Sequence, residues 1–200
     1  STFGYLSIGV PGTVAGLWEV HKQFGSLPWS ALIEDAINYA ENGFYMTDYM
    51  ADVLYKYNEK MSYFPETKKI FQKDYPNFRN KKLFQKDLAK TLRVISLNGR
   101  DGFYKGEVAK KITDQMQLNG GLIKSADLEN YNPVWREPII SSYRNNKIIT
   151  MGPPSSGGIH IIQMLNILEN YDLNELGHNS TDYINLLTEV MKHAYADRSK

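Results

Sequence analysis

The feature that most constrains this chain is a change of period. Up to about residue 132, apolar side chains recur at helical spacing; at 138–151 they switch to two short runs of β type. A 3.6-residue period lines one face of a helix and a 2-residue period lines one face of a strand. The pattern predicts a fold that is mainly α with one β-hairpin. Residues 1–132 read as helical, and residues 133–200 as the hairpin plus two helices. In the first part, Pro11-Gly12 makes a turn, and Thr13 is the expected cap of a helix over 14–24 that Gly25 stops. Pro28 is expected in the first turn of a second helix, where its missing N–H costs nothing. Leu32, Ile33, Ala36, Ile37 and Ala40 form its apolar stripe, and Gly43 ends it. Thr47 is placed to cap a third helix carrying Met50, Val53, Leu54 and Tyr57. Residues 62–82 are polar, aromatic and broken by proline, and they read as irregular. Leu88, Leu92 and Ile95 predict a helix closed by Gly99; Val108, Ile112 and Met116 predict another before Gly120-Gly121. Ser125 is the expected cap of a short helix over 126–131.

The hairpin strands are read at 138–141 and 147–151, joined by Ser142-Tyr143-Arg144-Asn145-Asn146. Helices are expected over about 158–170 and 181–199. A lone hairpin is marginal in water, so this one is expected to join a larger sheet or to pack on a helix. Ile139, Ile148, Met151 and the segment from Ile161 to Leu168 are its expected buried faces.

Charge and composition narrow the function classes. Lys and Arg number 23 against 22 Asp and Glu, a formal charge of +1, which gives no electrostatic reason to expect nucleic acid or an anionic membrane. The lysine pairs at 68–69, 81–82 and 110–111 are interleaved with acids and read as solvated faces. With no cysteine, disulfides, thiolate metal sites and cysteine nucleophiles are excluded. No apolar run reaches the roughly 18 residues of a membrane span. The chain opens Ser1-Thr2-Phe3-Gly4, with neither an initiator Met nor a signal-peptide pattern, and stops inside a helical pattern. It reads as a piece of a longer protein.

The stretch Gly152-Pro153-Pro154-Ser155-Ser156-Gly157-Gly158 holds the candidate site residues, Ser155 and Ser156. It is not a nucleophile elbow, because Pro154 stands where the Gly-x-Ser-x-Gly pattern needs glycine before Ser156. It is not a Walker loop either, because no Lys-Ser or Lys-Thr follows the glycines. A glycine-rich turn into a helix can still offer N–H groups to an anion. The simpler reading is that the prolines end a strand, a serine caps the next helix, and the glycines let that helix approach the sheet. His160 lies among isoleucines and reads as a packing histidine; His21, His178 and His193 are dispersed, so the sequence supports no metal site. Asp197-Arg198 reads as a charge pair at a helix end. Asn179-Ser180-Thr181 fits a glycosylation sequon by letters and a helix cap by position. Ser1 invites comparison with hydrolases that use an N-terminal hydroxyl, but a fragment boundary or expression scar explains it better.

Several separate segments fall in one order: GYLSIGVPGTVAGL at 4–17, FYKGEVAKKI at 103–112, NGGLIKSADLENY at 119–131, PPSSGGIHIIQMLNILENYDL at 153–173 and AYADRS at 194–199. Together they closely resemble the large subunit of the γ-glutamyltranspeptidases, or glutathione hydrolases, in their bacterial branch. The resemblance covers essentially the whole chain. It implies a fragment of an αββα N-terminal-nucleophile hydrolase fold, made as a proenzyme that cuts itself into a large and a small subunit. A threonine exposed by the cut attacks the γ-glutamyl amide of glutathione or a related compound. The acyl group then passes to water or to an amino acid or peptide. The family's threonine motif maps beyond Lys200, and its α-carboxylate-binding arginine maps before Ser1. Ser1-Thr2 therefore falls inside the large subunit, and no catalytic residue of the family is carried onto this chain. Ser155 and Ser156 match the family's Pro-Ser-Ser-Gly-Gly element and are expected as scaffold near the core sheet. The resemblance implies γ-glutamyl small molecules as substrates, the small subunit of the same proenzyme as partner, no cofactor, and a periplasmic or secreted location. The alternatives are a non-catalytic helical binding module, or a related acylase or capsule depolymerase on the same fold.

Overall fold

The computed structural model describes residues 2–198. They fall into two compact units, one running to Pro133 and the other starting at Val134.

The first unit is built from a short 3-10 helix (Tyr5–Ser7), nine α-helices and a two-stranded sheet among the described residues. The helices are α1 (Thr13–Phe24), α2 (Trp29–Asn42), α3 (Asp48–Lys56), α4 (Asn58–Ser62), α5 (Pro65–Phe71), α6 (Lys86–Asn98), α7 (Asp101–Tyr104), α8 (Gly106–Leu118) and α9 (Ser125–Glu129). The sheet pairs β1 (Phe44–Tyr45) with β2 (Lys82–Leu83), antiparallel. α2 packs against α6, and two indoles fasten α1 to that pair. Trp18 and Trp29 meet edge to face at 5.1 Å, and the Trp29 indole N–H donates to the Ile95 carbonyl at 3.0 Å. Gly99 ends α6 at φ 58, and a Cβ there would lie 2.7 Å from the Trp18 ring. Glycine therefore answers both the left-handed turn and the close approach.

One core cluster gathers Ala15, Tyr104, Ala109, Met116, Ile123 and Leu128. Tyr104 is fully buried, yet its hydroxyl is satisfied: it donates to the Pro11 carbonyl and accepts from the Ala15 N–H at 3.3 Å. Arg100 lies 4.9 Å over the same ring and donates to the carbonyls of Glu129 at 2.9 Å and Tyr131 at 2.6 Å. A second cluster gathers Met46, Ala51, Leu54, Phe78 and Leu83.

Several local expectations need correction. Thr13 is the first helical residue of α1, and Gly12 holds the cap position, where a Cβ would lie 2.2 Å from the Tyr131 hydroxyl oxygen. Pro28 sits at the cap of α2, one residue earlier than expected. Leu32, 53% exposed, and Ala36, also exposed, leave the stripe of α2, which narrows to Ile33, Ile37 and Ala40. Ser125 is inside α9, because the Asp127 carboxylate accepts from the Lys124 N–H at 2.8 Å and fixes the start one residue earlier. Residues 62–82 are not wholly irregular: Pro65 begins α5 instead of breaking a helix, and β2 starts at Lys82. The fold is thus mostly helical with two small antiparallel sheets, not one. Thr47 caps α3 as expected, its hydroxyl accepting from the Met50 N–H at 3.2 Å.

The second unit holds β3 (Ile139–Tyr143), β4 (Asn146–Thr150), α10 (Gly157–Leu168), the short α11 (Leu173–Leu176) and α12 (Thr181–Arg198). β3 and β4 pair antiparallel with Ile140 opposite Ile149. The turn is only Arg144-Asn145, at φ 45 and 65, so Ser142, Tyr143 and Asn146 belong to the strands. Two consecutive positive φ values are the mark of the two-residue turn that matches strand twist. α10 packs on β3 and on α12. Ile139 and Ile148 turn to the half-buried face, whereas Met151 is 65% and Ile161 46% exposed, against expectation. Ser180 caps α12, its hydroxyl accepting from the Tyr183 N–H at 3.1 Å. The expected end of that helix at Ser199 lies outside the described residues, as does Ser1.

Candidate functional site

The loop between β4 and α10 is assembled by its own sequence. Pro153 and Pro154 have no N–H to give, so strand pairing stops before them. The Ser155 hydroxyl then accepts from the Gly157 N–H at 3.4 Å, a local serine turn that leads into α10. Ser156 occupies the cap position, but its side chain makes no cap hydrogen bond. Its carbonyl accepts from the His160 N–H at 3.2 Å. The close approach of helix to strand rests on Gly158 alone. A Cβ there would lie 2.1 Å from the Met151 carbonyl oxygen and 2.7 Å from the Thr150 hydroxyl. A Cβ at Gly157 would meet nothing nearer than the Ser155 hydroxyl at 3.6 Å.

Beside this loop is a cavity of about 310 Å³. Pro153, Pro154 and both serines form one wall, and Ile159, His160 and Gln163 of α10 form another. Asp197 and Arg198 reach it from α12. The Gln163 amide donates to the Asp197 carboxylate at 2.6 Å, and the Arg136 guanidinium donates to the Pro153 carbonyl at 3.5 Å. His160 is 9% exposed and stacks on Tyr195 with ring centres 5.7 Å apart and planes at 13°. That is the packing role its apolar neighbours suggested.

This arrangement limits the chemistry. A serine nucleophile needs a base bonded to its hydroxyl. Among the described residues no hydrogen bond joins His160 to Ser155 or Ser156. The anion-cradle reading also weakens, because the Gly157 N–H is already used by Ser155. The Asp197 carboxylate, read as one half of a charge pair, also receives the Gln163 amide. The structure thus brings Ser155, Ser156, His160, Asp197 and Arg198 to one cavity, without a nucleophile-base pair among them. Gln163 and Arg136 escaped the sequence reading. The first stands three residues after His160, on the same face of α10 by helical spacing; the second carried no sequence signal. The shifted titrations lie elsewhere. Burial pushes the Tyr104 phenol up. Lysine hydrogen bonds hold Asp87, Asp101, Glu107 and Glu189 below the usual carboxylate range. No three metal-ligating side chains converge among the described residues.

The gamma-glutamyltranspeptidase family profile matches residues 1–200. The glutathione hydrolase proenzyme of Escherichia coli (strain K12) is 43% identical over 202 residues, covering 100% of this chain and 35% of the relative. The acylase ACY 1 proenzyme of Pseudomonas sp. (strain SE83) is 41% identical over 197 residues, covering 98% of this chain and 35% of the relative. This chain therefore spans about a third of the length of these curated relatives. The crystal structure of Helicobacter pylori gamma-glutamyltranspeptidase superposes with a TM-score of 0.94 at 46% identity, over 98% of this chain and 57% of that one. The profile match from end to end, and the agreement of backbone and sequence with relatives well above the level at which fold alone is shared, establish that this chain belongs to the γ-glutamyltranspeptidase family.

Proposed function

We propose that the whole protein to which this chain belongs cleaves the γ-glutamyl amide of glutathione and passes the γ-glutamyl group to water, an amino acid or a peptide. The observation that carries this reading is the family match over all 200 residues. The chain itself is an internal part of the large subunit and a fragment of the αββα N-terminal-nucleophile fold. Residues 1–132 supply its helical part, and residues 133–200 supply a hairpin and helices of the core sandwich. The nucleophilic threonine belongs to the small subunit, which is this chain's partner. The threonine hydroxyl attacks the γ-carbonyl, the amine leaves with a proton, and water or an amine then displaces the threonine ester. Ser155 and Ser156 are scaffold in this reading, because no base is bonded to either. The address is periplasmic or secreted.

A second reading has a specific observation behind it: the acylase relative is nearly as similar as the glutathione hydrolase, at 41% against 43% identity. Substrate assays separate the two. Expression of the whole reading frame is expected to yield two subunits and release of chromophore from a γ-glutamyl anilide. The 200-residue chain alone is expected to show no turnover. Ser155→Ala and Ser156→Ala in the whole protein are expected to leave turnover essentially unchanged, since neither hydroxyl is bonded to a base. Release of non-γ-glutamyl acyl groups alone would favour the acylase. Turnover by the isolated chain, co-eluting with it on a sizing column, would overturn the scaffold assignment.

A further inference from the structure

We propose that the first unit carries a binding site for a small organic anion with an apolar body. A cavity of about 670 Å³ opens between α5, β2 and the first turn of α6. That is ordinary ligand-pocket size, within the range of roughly 300–1,000 Å³. Its floor is apolar: Met46, Phe78 and Leu83 are buried there, and Phe71 packs against them. Its rim is cationic. Five lysines line it, Lys69, Lys73, Lys81, Lys82 and Lys86, against two acids, Asp74 and Asp87.

The local ion pairs do not cancel this charge. The Asp87 carboxylate is engaged by Lys90 at 2.9 Å, a lysine outside the lining. Lys69 pairs with Glu66 at 3.8 Å and attracts Asp87 more weakly through space, and Lys82 lies over the Tyr45 ring at 5.3 Å. Among the described residues Lys73, Lys81 and Lys86 have no ion pair, and Asp74 is the one lining acid left to oppose them. Ammonium groups gathered over a concave apolar surface focus a positive potential into it. An inorganic anion would leave the floor wet, and a neutral hydrocarbon would leave the lysines unneutralised. A carboxylate on an alkyl or aryl body meets both demands.

Octanoate is the probe, titrated calorimetrically into the whole processed protein, with octan-1-ol and inorganic phosphate as controls. Octanoate is expected to bind once per chain, at least about tenfold more tightly than either control, and to weaken by at least about tenfold in the Lys81→Glu/Lys86→Glu variant, because removing charge complementarity costs on this scale. Saturating glutamate is expected to leave octanoate binding unchanged. Should the charge reversal unfold the protein, Lys81→Gln/Lys86→Gln with an unchanged melting profile serves instead, and the loss is expected to be smaller but measurable. Octan-1-ol binding as tightly as octanoate would make this a plain greasy hollow and overturn the proposal. So would phosphate binding equally well, displacement by glutamate, or octanoate affinity indifferent to both lysine variants.

Discussion

At the scale of single residues, Tyr104 carries the sharpest prediction. Its phenol is buried and joins the chain at Pro11 and Ala15 to α7, so one hydroxyl answers two buried backbone groups. Tyr104→Phe removes that hydroxyl and leaves both groups without a partner, which costs about 1–3 kcal/mol. Burial also raises the phenol's folded pKa, since the charged form is the one that loses solvation. The contribution of the neutral phenol is therefore complete below the unfolded value, near about 10, and is lost as pH rises through the folded value. Denaturant melts across the alkaline range are expected to show the parent losing stability more steeply than Tyr104→Phe. Parallel slopes for the two proteins would count against the buried phenol as the cause. The other tyrosines are common to both, so the difference isolates this one.

Between elements, the contact of α10 with β4 turns on a missing side chain. Gly158→Ala would drive a methyl to 2.1 Å from the Met151 carbonyl oxygen, and neither that backbone nor the helix can yield cheaply. Destabilisation by about 1–3 kcal/mol is expected, the usual cost of overpacking. Gly157→Ala meets only the Ser155 hydroxyl oxygen, at an ordinary 3.6 Å, and replacing a glycine at a compatible backbone position stabilises by about 0.4–1 kcal/mol. Opposite signs at adjacent glycines, measured by chemical denaturation of the whole protein, are the expected result; equal losses would mean that the helix does not approach the strand this way. The sequence suggested that both glycines served the approach. It could not distinguish them, because the discriminating atom, the Met151 carbonyl, depends on where the strand stops. The same limit explains β1 and β2. Two-residue strands 38 positions apart have no period to read, and only the fold brings Phe44 to Leu83. Thr47, Gly99 and the helices around Leu88 and Val108 were legible, because capping and stripe formation are local. At the candidate site, the turn and the packing role of His160 were legible from local composition. The Gln163–Asp197 bond was not, because it joins helices 34 residues apart.

For the whole molecule, the hairpin sets the expectation. Among the described residues β3 and β4 form a sheet of two strands only, and Ile140 and Ile149 are paired on a face where they are 57% and 61% exposed. Unpaired strand edges beside an apolar face are a template for another chain. The 200-residue chain on its own is expected to self-associate through this hairpin, seen as light scattering that rises with concentration. A monomer at high concentration with slow amide exchange on both strands would contradict that. The tryptophans make such experiments readable one unit at a time. Trp18 and Trp29, on α1 and α2, hold their rings 5.1 Å apart at 84°, close enough for their excited states to couple, while Trp135 lies beyond the unit boundary. The paired indoles are expected to give circular dichroism a chiral couplet that belongs to the first unit, and its loss without loss of helical signal would report α1 leaving α2.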